Sequence, residues 1–241
     1  TVTFTPAEGV EGDVVVNYTI KDADGDTANS TLTINVGEDS VPVITAAANA
    51  EVDETGGLTF DTQALTVDFG NDAGTLSLSA ADATWNAGNN TLTANNGDWQ
   101  VVVNDNGTYT VTQLHVMTHP DTTNPDDAVT VTITATAAES GSADSDTTTF
   151  DVRFLDDGPT VVADTTTTAE DTQVIYNVIT NTDGTSDSSG ADAPATLTAA
   201  ALVNSTDGTL SFSPNGNITF TPNEGVEGDV VVNYTIKDAD G

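Results

Sequence analysis

Cysteine is absent from the 241-residue sequence, which excludes disulfides, iron–sulfur clusters and thiolate zinc sites. In a secreted protein, that absence would leave stability to core packing and bound metal. Positive charge is nearly absent too: 3 Lys and Arg stand against 38 Asp and Glu, for a formal charge of −35. Nucleic acid is excluded as a partner, because binding it requires Lys and Arg to neutralise phosphates. Docking on an anionic membrane surface is excluded for the same reason. No apolar run reaches the roughly 20 residues of a membrane span. Histidine occurs only at His115 and His119. With no cysteine partner and no G-x-S-x-G elbow, catalytic machinery is missing and no enzyme is expected. Aromatic residues make up 5% of the chain, too few to line a sugar cleft around paired acids such as Asp126-Asp127. Trp99 lies in an alternating run and is expected to pack in a core.

What the chain does contain is a repeat. Residues 1–25 return at 217–241, offset by 217 − 1 = 216 positions, with changes only at Thr1/Asn217, Val2/Ile218 and Ala7/Asn223. Self-similarity at a fixed period marks a repeat array, and this period fits one or two whole domains rather than a solenoid turn. The sequence reads as one period of a longer tandem protein. Its 37% hydrophobic content is arranged in alternating runs, which argues for folding despite the acidity.

Those runs read as strands. Val14–Ile20, Thr31–Val36 and Val129–Thr134 are rich in β-branched residues, with one face for a core and one, of Thr and Asn, for water. Asn106-Gly107, Asp207-Gly208 and Asn215-Gly216 are hairpin signals. The expected fold class is all-β: tandem antiparallel Ig-like or cadherin-like β-sandwiches joined end to end. Acidic, proline-ended segments at Gly37–Pro42 and Asp156–Pro159 set the boundaries. Residues 1–37 are expected to be the C-terminal strands of one sandwich and residues 40–157 a complete sandwich. Residues 160–241 are expected to form a third that stops before its last strand.

The segment from Ala169-Glu170-Asp171-Thr172 through Val174–Val178, Gly208-Thr209-Leu210, Phe220-Thr221-Pro222 and Tyr234–Gly241 resembles bacterial cadherin-like Ig domains of giant secreted adhesins. Residues 40–157 are similar to the repeat domain of type I secretion targets in the same RTX-adhesin group. That likeness rests on Val52-Asp53-Glu54, Gly97-Asp98-Trp99, Gly107–Thr110, His119-Pro120 and the closing Phe150–Pro159. His119-Pro120 reads, on this resemblance, as a structural turn. The match departs from its family at Glu139–Asp146, where a D-A-D-G-D loop is usual. The resemblance implies extracellular extender domains on a bacterial cell surface, rigidified by calcium and holding a binding tip away from the cell, in attachment or biofilm.

The strongest ligand motif is Asp22-Ala23-Asp24-Gly25-Asp26, repeated in part by Asp238 and Asp240. Carboxylates at alternate loop positions converge on one point, as calcium requires. It is not an EF-hand, since glycine stands fourth and Thr33 would occupy position twelve. Ligands would therefore come from several loops at the junctions. Glu38 and Asp39 are expected to meet Glu139, Asp144 and Asp146 at the first junction, with Glu8 and Glu11 as additions. Asp156, Asp157, Asp183, Asp187, Asp238 and Asp240 are expected at the second, and Glu170 completes the candidate metal set. Lys21, Lys237 and Arg153 are placed to offset repulsion among these acids, or are ordinary strand ends.

The expected function is structural: an extender segment whose partners are neighbouring repeats. One alternative is glycan or cell-surface binding by the middle sandwich. Another is a self-assembling fibre subunit joined by strand complementation between chains.

Overall fold

The computed structural model describes residues 1–7, 10–37, 40–54, 60–70, 72–124, 127–181 and 186–241. Strands alone make up its regular structure, and no described residue is helical. The alternation of β-branched and polar residues is thus realised as half-buried strands.

β1 (Gly12–Lys21) and β2 (Thr27–Val36) form an antiparallel hairpin in perfect register from Gly12↔Val36 to Lys21↔Thr27. It is a two-stranded sheet by itself.

The next ten strands are β3 (Val43–Ala47), β4 (Ala50–Asp53), β5 (Phe60–Asp68), β6 (Gly74–Ser79), β7 (Ala83–Asn86), β8 (Thr91–Ala94), β9 (Trp99–Asn104), β10 (Thr108–Gln113), β11 (Ala128–Glu139) and β12 (Ser145–Leu155). They pack as a six-stranded sheet, β3-β5-β10-β9-β8-β7, and a four-stranded sheet, β4-β12-β11-β6. The pairing is antiparallel with one exception: β4 runs parallel to β12, with Val52 opposite Phe154. The antiparallel sandwich expected from the sequence is thus present, with this one parallel pair at its edge. The parallel pair has a consequence for chemistry, because it brings the ends of β4 and β12, and so Glu54 and Asp156, out at the same edge of the sheet.

Between the two sheets lie Leu65, Leu92, Val101, Tyr109 and Val111 from one and Val52, Ile133, Phe150, Val152 and Phe154 from the other. Trp99 is in this core as expected, its ring 6.1 Å from that of Phe154, and Tyr109 stacks obliquely on Phe150 at 4.5 Å. Burial raises the Tyr109 hydroxyl far above its ordinary range, and the group donates to the Ala48 carbonyl. Phe154→Ala is expected to destabilise this sandwich by about 3–5 kcal/mol through cavity formation. Urea unfolding followed by tryptophan fluorescence checks it.

The remaining strands are β13 (Val174–Asn177), β14 (Thr196–Leu202), β15 (Gly208–Phe212), β16 (Asn217–Pro222) and β17 (Val232–Lys237). They form sheets β13-β16-β15 and β14-β17 around a smaller core of Val178, Leu197, Ile218 and Ile236. Asn106-Gly107 closes the β9–β10 hairpin and Asn215-Gly216 the β15–β16 hairpin, with Gly107 and Gly216 at positive φ. Asp207-Gly208 does otherwise. It joins β14 to β15, which lie in different sheets, because β14 finds its partner in β17.

Candidate metal centre

Where the second and third sandwiches meet, five chain segments deliver six polar side chains to one buried point. Glu54 follows β4 and Asp156 follows β12. His119 lies in the β10–β11 connection and Asp192 in the loop before β14. Asp238 and Asp240 follow β17. Ligand atoms of Glu54, His119, Asp156 and Asp192 all lie within 4.8 Å of one another, and all four residues are buried.

Hydrogen bonds fix the set. Glu54 Oε1 accepts from the Met117 amide at 2.9 Å and from Gln113 Nε2. His119 Nε2 lies 3.3 Å from the Phe154 carbonyl. A carbonyl only accepts, so Nε2 carries the hydrogen and Nδ1 is the ring atom turned to the acids. Nδ1 stands 3.7 Å from both Asp156 Oδ1 and Asp240 Oδ2, beyond hydrogen-bonding range. The His119 amide donates to Asp240 Oδ2 and the Ala239 amide to the Asp192 carbonyl at 3.1 Å. Asp238 Oδ1 caps the turn by accepting from the Asp240 and Gly241 amides.

Among the buried side-chain atoms without a hydrogen-bond partner, four belong to this group: Glu54 Oε2, His119 Nδ1, Asp156 Oδ1 and Asp192 Oδ2. Each of the four residues that share the point thus has an atom free to bind there. Burying one such group unpaired costs about 1–3 kcal/mol or more, so four together mark this point as a candidate site for a ligand. The electrostatics agree. Burial raises the Glu54 and Asp156 carboxyls, and His119 only partly offsets this at Asp156. Asp192 is pushed up to about 7, first by burial and then by Glu54, Asp240, Asp156 and Asp238. The arrangement disfavours its own negative charge and fits a divalent cation, which removes both penalties at once.

The loop that carries Asp192 is seated by a close backbone approach. Gly190 has φ +70°, and a Cβ there would come within 1.8 Å of the Asp157 carbonyl oxygen. Thr160 and Ser188 exchange amide-to-carbonyl bonds at 2.9 Å beside it. Gly190→Ala is expected to displace the loop and weaken cation binding at least tenfold, about 1.4 kcal/mol. Calorimetric titration of the variant checks this.

Of the residues expected at the second junction, Asp156, Asp238 and Asp240 come together. Asp157 is half-buried, and its amide donates to the Asp156 carboxyl. Asp187 is buried, but its Oδ1 accepts from the Val162 amide at 2.8 Å and it neighbours Tyr234 rather than the cluster. Glu170 sits in an exposed turn and joins no group of converging ligands among the described residues. Asp183 lies outside the described residues. At the first junction Glu8, Glu38 and Asp39 also lie outside them. Glu11 is exposed. Glu139 is buried and accepts from Ser142 Oγ at 2.8 Å, Asp144 is half-buried, and Asp146 is occupied by the Ile44 and Thr147 amides. Asp22, Asp24 and Asp26 form a second converging group, fully exposed. The side chain of Asp24 and then local backbone amides hold the Asp22 carboxyl below its ordinary range. Arg153 pairs with Glu51 at 2.6 Å on the solvent face rather than with the junction acids.

Glu54, His119 and Asp192 were not foreseen as ligands. Glu54 and His119 did stand in the family-like motifs, but only the fold shows that His119 is more than a turn. Asp192 carried no signal beyond its acidic loop.

A family model described as bacterial Ig domain matches residues 156–241. No characterised protein sequence matches the chain significantly. Among solved structures, the chain is similar to the extracellular cadherin domains 1–5 of protocadherin Gamma B2, at 16% identity over 96% of this chain and 44% of that one, TM-score 0.29. It is also similar to an endo-fucoidan hydrolase of glycoside hydrolase family 107, at 12% identity over 97% of this chain and 35% of that one, TM-score 0.30. The S-layer protein SbsC gives 13% identity over 95% of this chain and 32% of that one, TM-score 0.24. The chain spans less than half of each of these structures. Among the described residues no helix is long and apolar enough to cross a membrane.

Proposed function

We propose that this chain is an extracellular structural segment of a bacterial surface adhesin, in which calcium locks consecutive β-sandwiches end to end. The observation that carries the reading is the set of four buried, unpartnered ligand atoms drawn from both sandwiches. Glu54, Asp156 and Asp192 would hold the ion, with His119 Nδ1 as a nitrogen donor and Asp238 and Asp240 adjacent. A donor set dominated by carboxylates suits a hard divalent cation. The bacterial Ig match over residues 156–241 and the all-β architecture support an extracellular repeat unit. Bound metal supplies a charge at the junction that five carboxylates and one imidazole cannot balance alone.

The function follows from geometry. Ligands from two sandwiches share one ion, so binding fixes their relative angle. Without the ion the carboxylates repel and the junction loosens. Extracellular modules bind calcium at about 0.1–1 mM, so the segment would be stiff outside the cell and pliable in the cytosol. Small-angle scattering in calcium and then in chelator, with calorimetric titration, tests this. A sharper, longer maximum dimension in calcium, with binding heat, is expected. An unchanged profile with no heat would overturn it.

A further inference from the structure

Calcium and the first-row transition ions ask for different donors, and the junction cluster offers a mixture. Calcium takes about six to eight oxygen ligands, whereas zinc usually takes four donors and accepts imidazole nitrogen readily. Glu54, Asp156 and Asp192 bring carboxylates to the shared point, and the fourth member of the group is His119. The exposed group of Asp22, Asp24 and Asp26 has carboxylates alone.

The His119 ring is held in the way metal-binding imidazoles are held. Its side chain is completely buried. Nε2 donates to the Phe154 carbonyl at 3.3 Å, which leaves Nδ1 as the ring nitrogen with an open lone pair. Nδ1 has no hydrogen-bond partner and stands 3.7 Å from both Asp156 Oδ1 and Asp240 Oδ2. A backbone carbonyl on the outer nitrogen is the usual device that fixes tautomer and ring orientation at a metal. The backbone is tied as well, since the His119 amide donates to Asp240 Oδ2. A side chain present only for packing would be apolar, because a buried nitrogen lone pair without a partner costs stability.

We infer that the junction is a mixed nitrogen–oxygen site selective for a first-row transition ion, binding zinc more tightly than calcium through His119 Nδ1. The inference rests on the reading that this cluster holds a divalent cation, and it changes which ion wins. Glu54, Asp156, Asp192 and His119 make a four-donor set, with Asp240 as the adjacent carboxylate. Imidazole suits zinc and its neighbours in the series, while calcium prefers carboxylate, carbonyl and water oxygens. The nitrogen therefore adds to zinc affinity and takes a place that calcium would give to oxygen. Zinc displaces calcium here and locks the same two sandwiches at a lower free ion concentration.

The chain has only two histidines, which makes the test direct. His115 is exposed and serves as the internal control for adventitious binding, with His115→Gln assigning the two rings. Long-range proton–nitrogen correlation spectra of the isotope-labelled chain are recorded without metal, with one equivalent of zinc, and after millimolar calcium is added. The expected result is a shift of the His119 Nδ1 resonance at one equivalent, with the hydrogen still on Nε2, that survives the calcium. Calorimetric titration is expected to give zinc a Kd at least about tenfold below that of calcium. His119→Gln is expected to lose about 10–100-fold in zinc affinity but little in calcium affinity, since the amide offers an oxygen. Zinc that shifts only His115, or that calcium displaces from His119, would overturn the inference and leave the calcium-locked junction standing. Binding of neither ion would overturn both.

Discussion

Asp192→Asn is expected to stabilise the protein in chelator and to destabilise it in calcium relative to the unsubstituted chain. The two signs have one cause. Without metal, Asp192 is a buried carboxyl pushed up by burial and by four acids around it. The amide keeps its shape and removes the charge that the site disfavours. In calcium the same carboxylate is a ligand, and losing one charged oxygen donor weakens binding by about 10–100-fold, or 1.4–2.7 kcal/mol. Thermal melts in millimolar calcium and in chelator are expected to cross over between the two proteins. A variant less stable than wild type in both conditions would mean that Asp192 is there for packing alone.

The metal-free protein is expected to lose stability as pH rises from about 4 to about 7, with calcium abolishing most of the loss. Glu54, Asp156 and Asp192 all have folded-state pKa values above their unfolded ones, Asp192 at about 7 against 3.8. Between those values the folded chain binds more protons than the unfolded chain. Stability is therefore fully present below the unfolded value and falls as pH passes through the folded one. For Asp192 alone the change is on the order of 2–4 kcal/mol. Urea midpoints in chelator from pH 4 to pH 8 measure it. A midpoint that stays level or rises across that range would remove the buried-acid description of the junction.

Both predictions concern residues that sequence reasoning reached unevenly. Asp156, Asp238 and Asp240 could be placed at one end of a sandwich by following strand direction, since β12 and β17 are regular and their ends are local features. Glu54 needed the parallel β4–β12 pairing, which no alternation of side chains encodes. In the sequence His119-Pro120 has the look of a turn, because the ring acquires meaning only beside the Phe154 carbonyl and the acids. The loop of Asp187 points to the junction, yet its carboxylate turns to the Val162 amide. A loop's position follows from the strands it joins, whereas the direction of one carboxylate depends on which nearby donor it meets first.

By itself, the sequence determined the strand content, the alternating core positions such as Trp99, the hairpins at Asn106-Gly107 and Asn215-Gly216, and the acidity that asks for cations. These follow from the two-residue period of a β-strand and the backbone demands of tight turns, which neighbouring residues settle among themselves. Only the tertiary structure decided which acids share a site and that β4 runs with β12. Those outcomes depend on contacts between residues far apart in the chain, formed when apolar faces are removed from water.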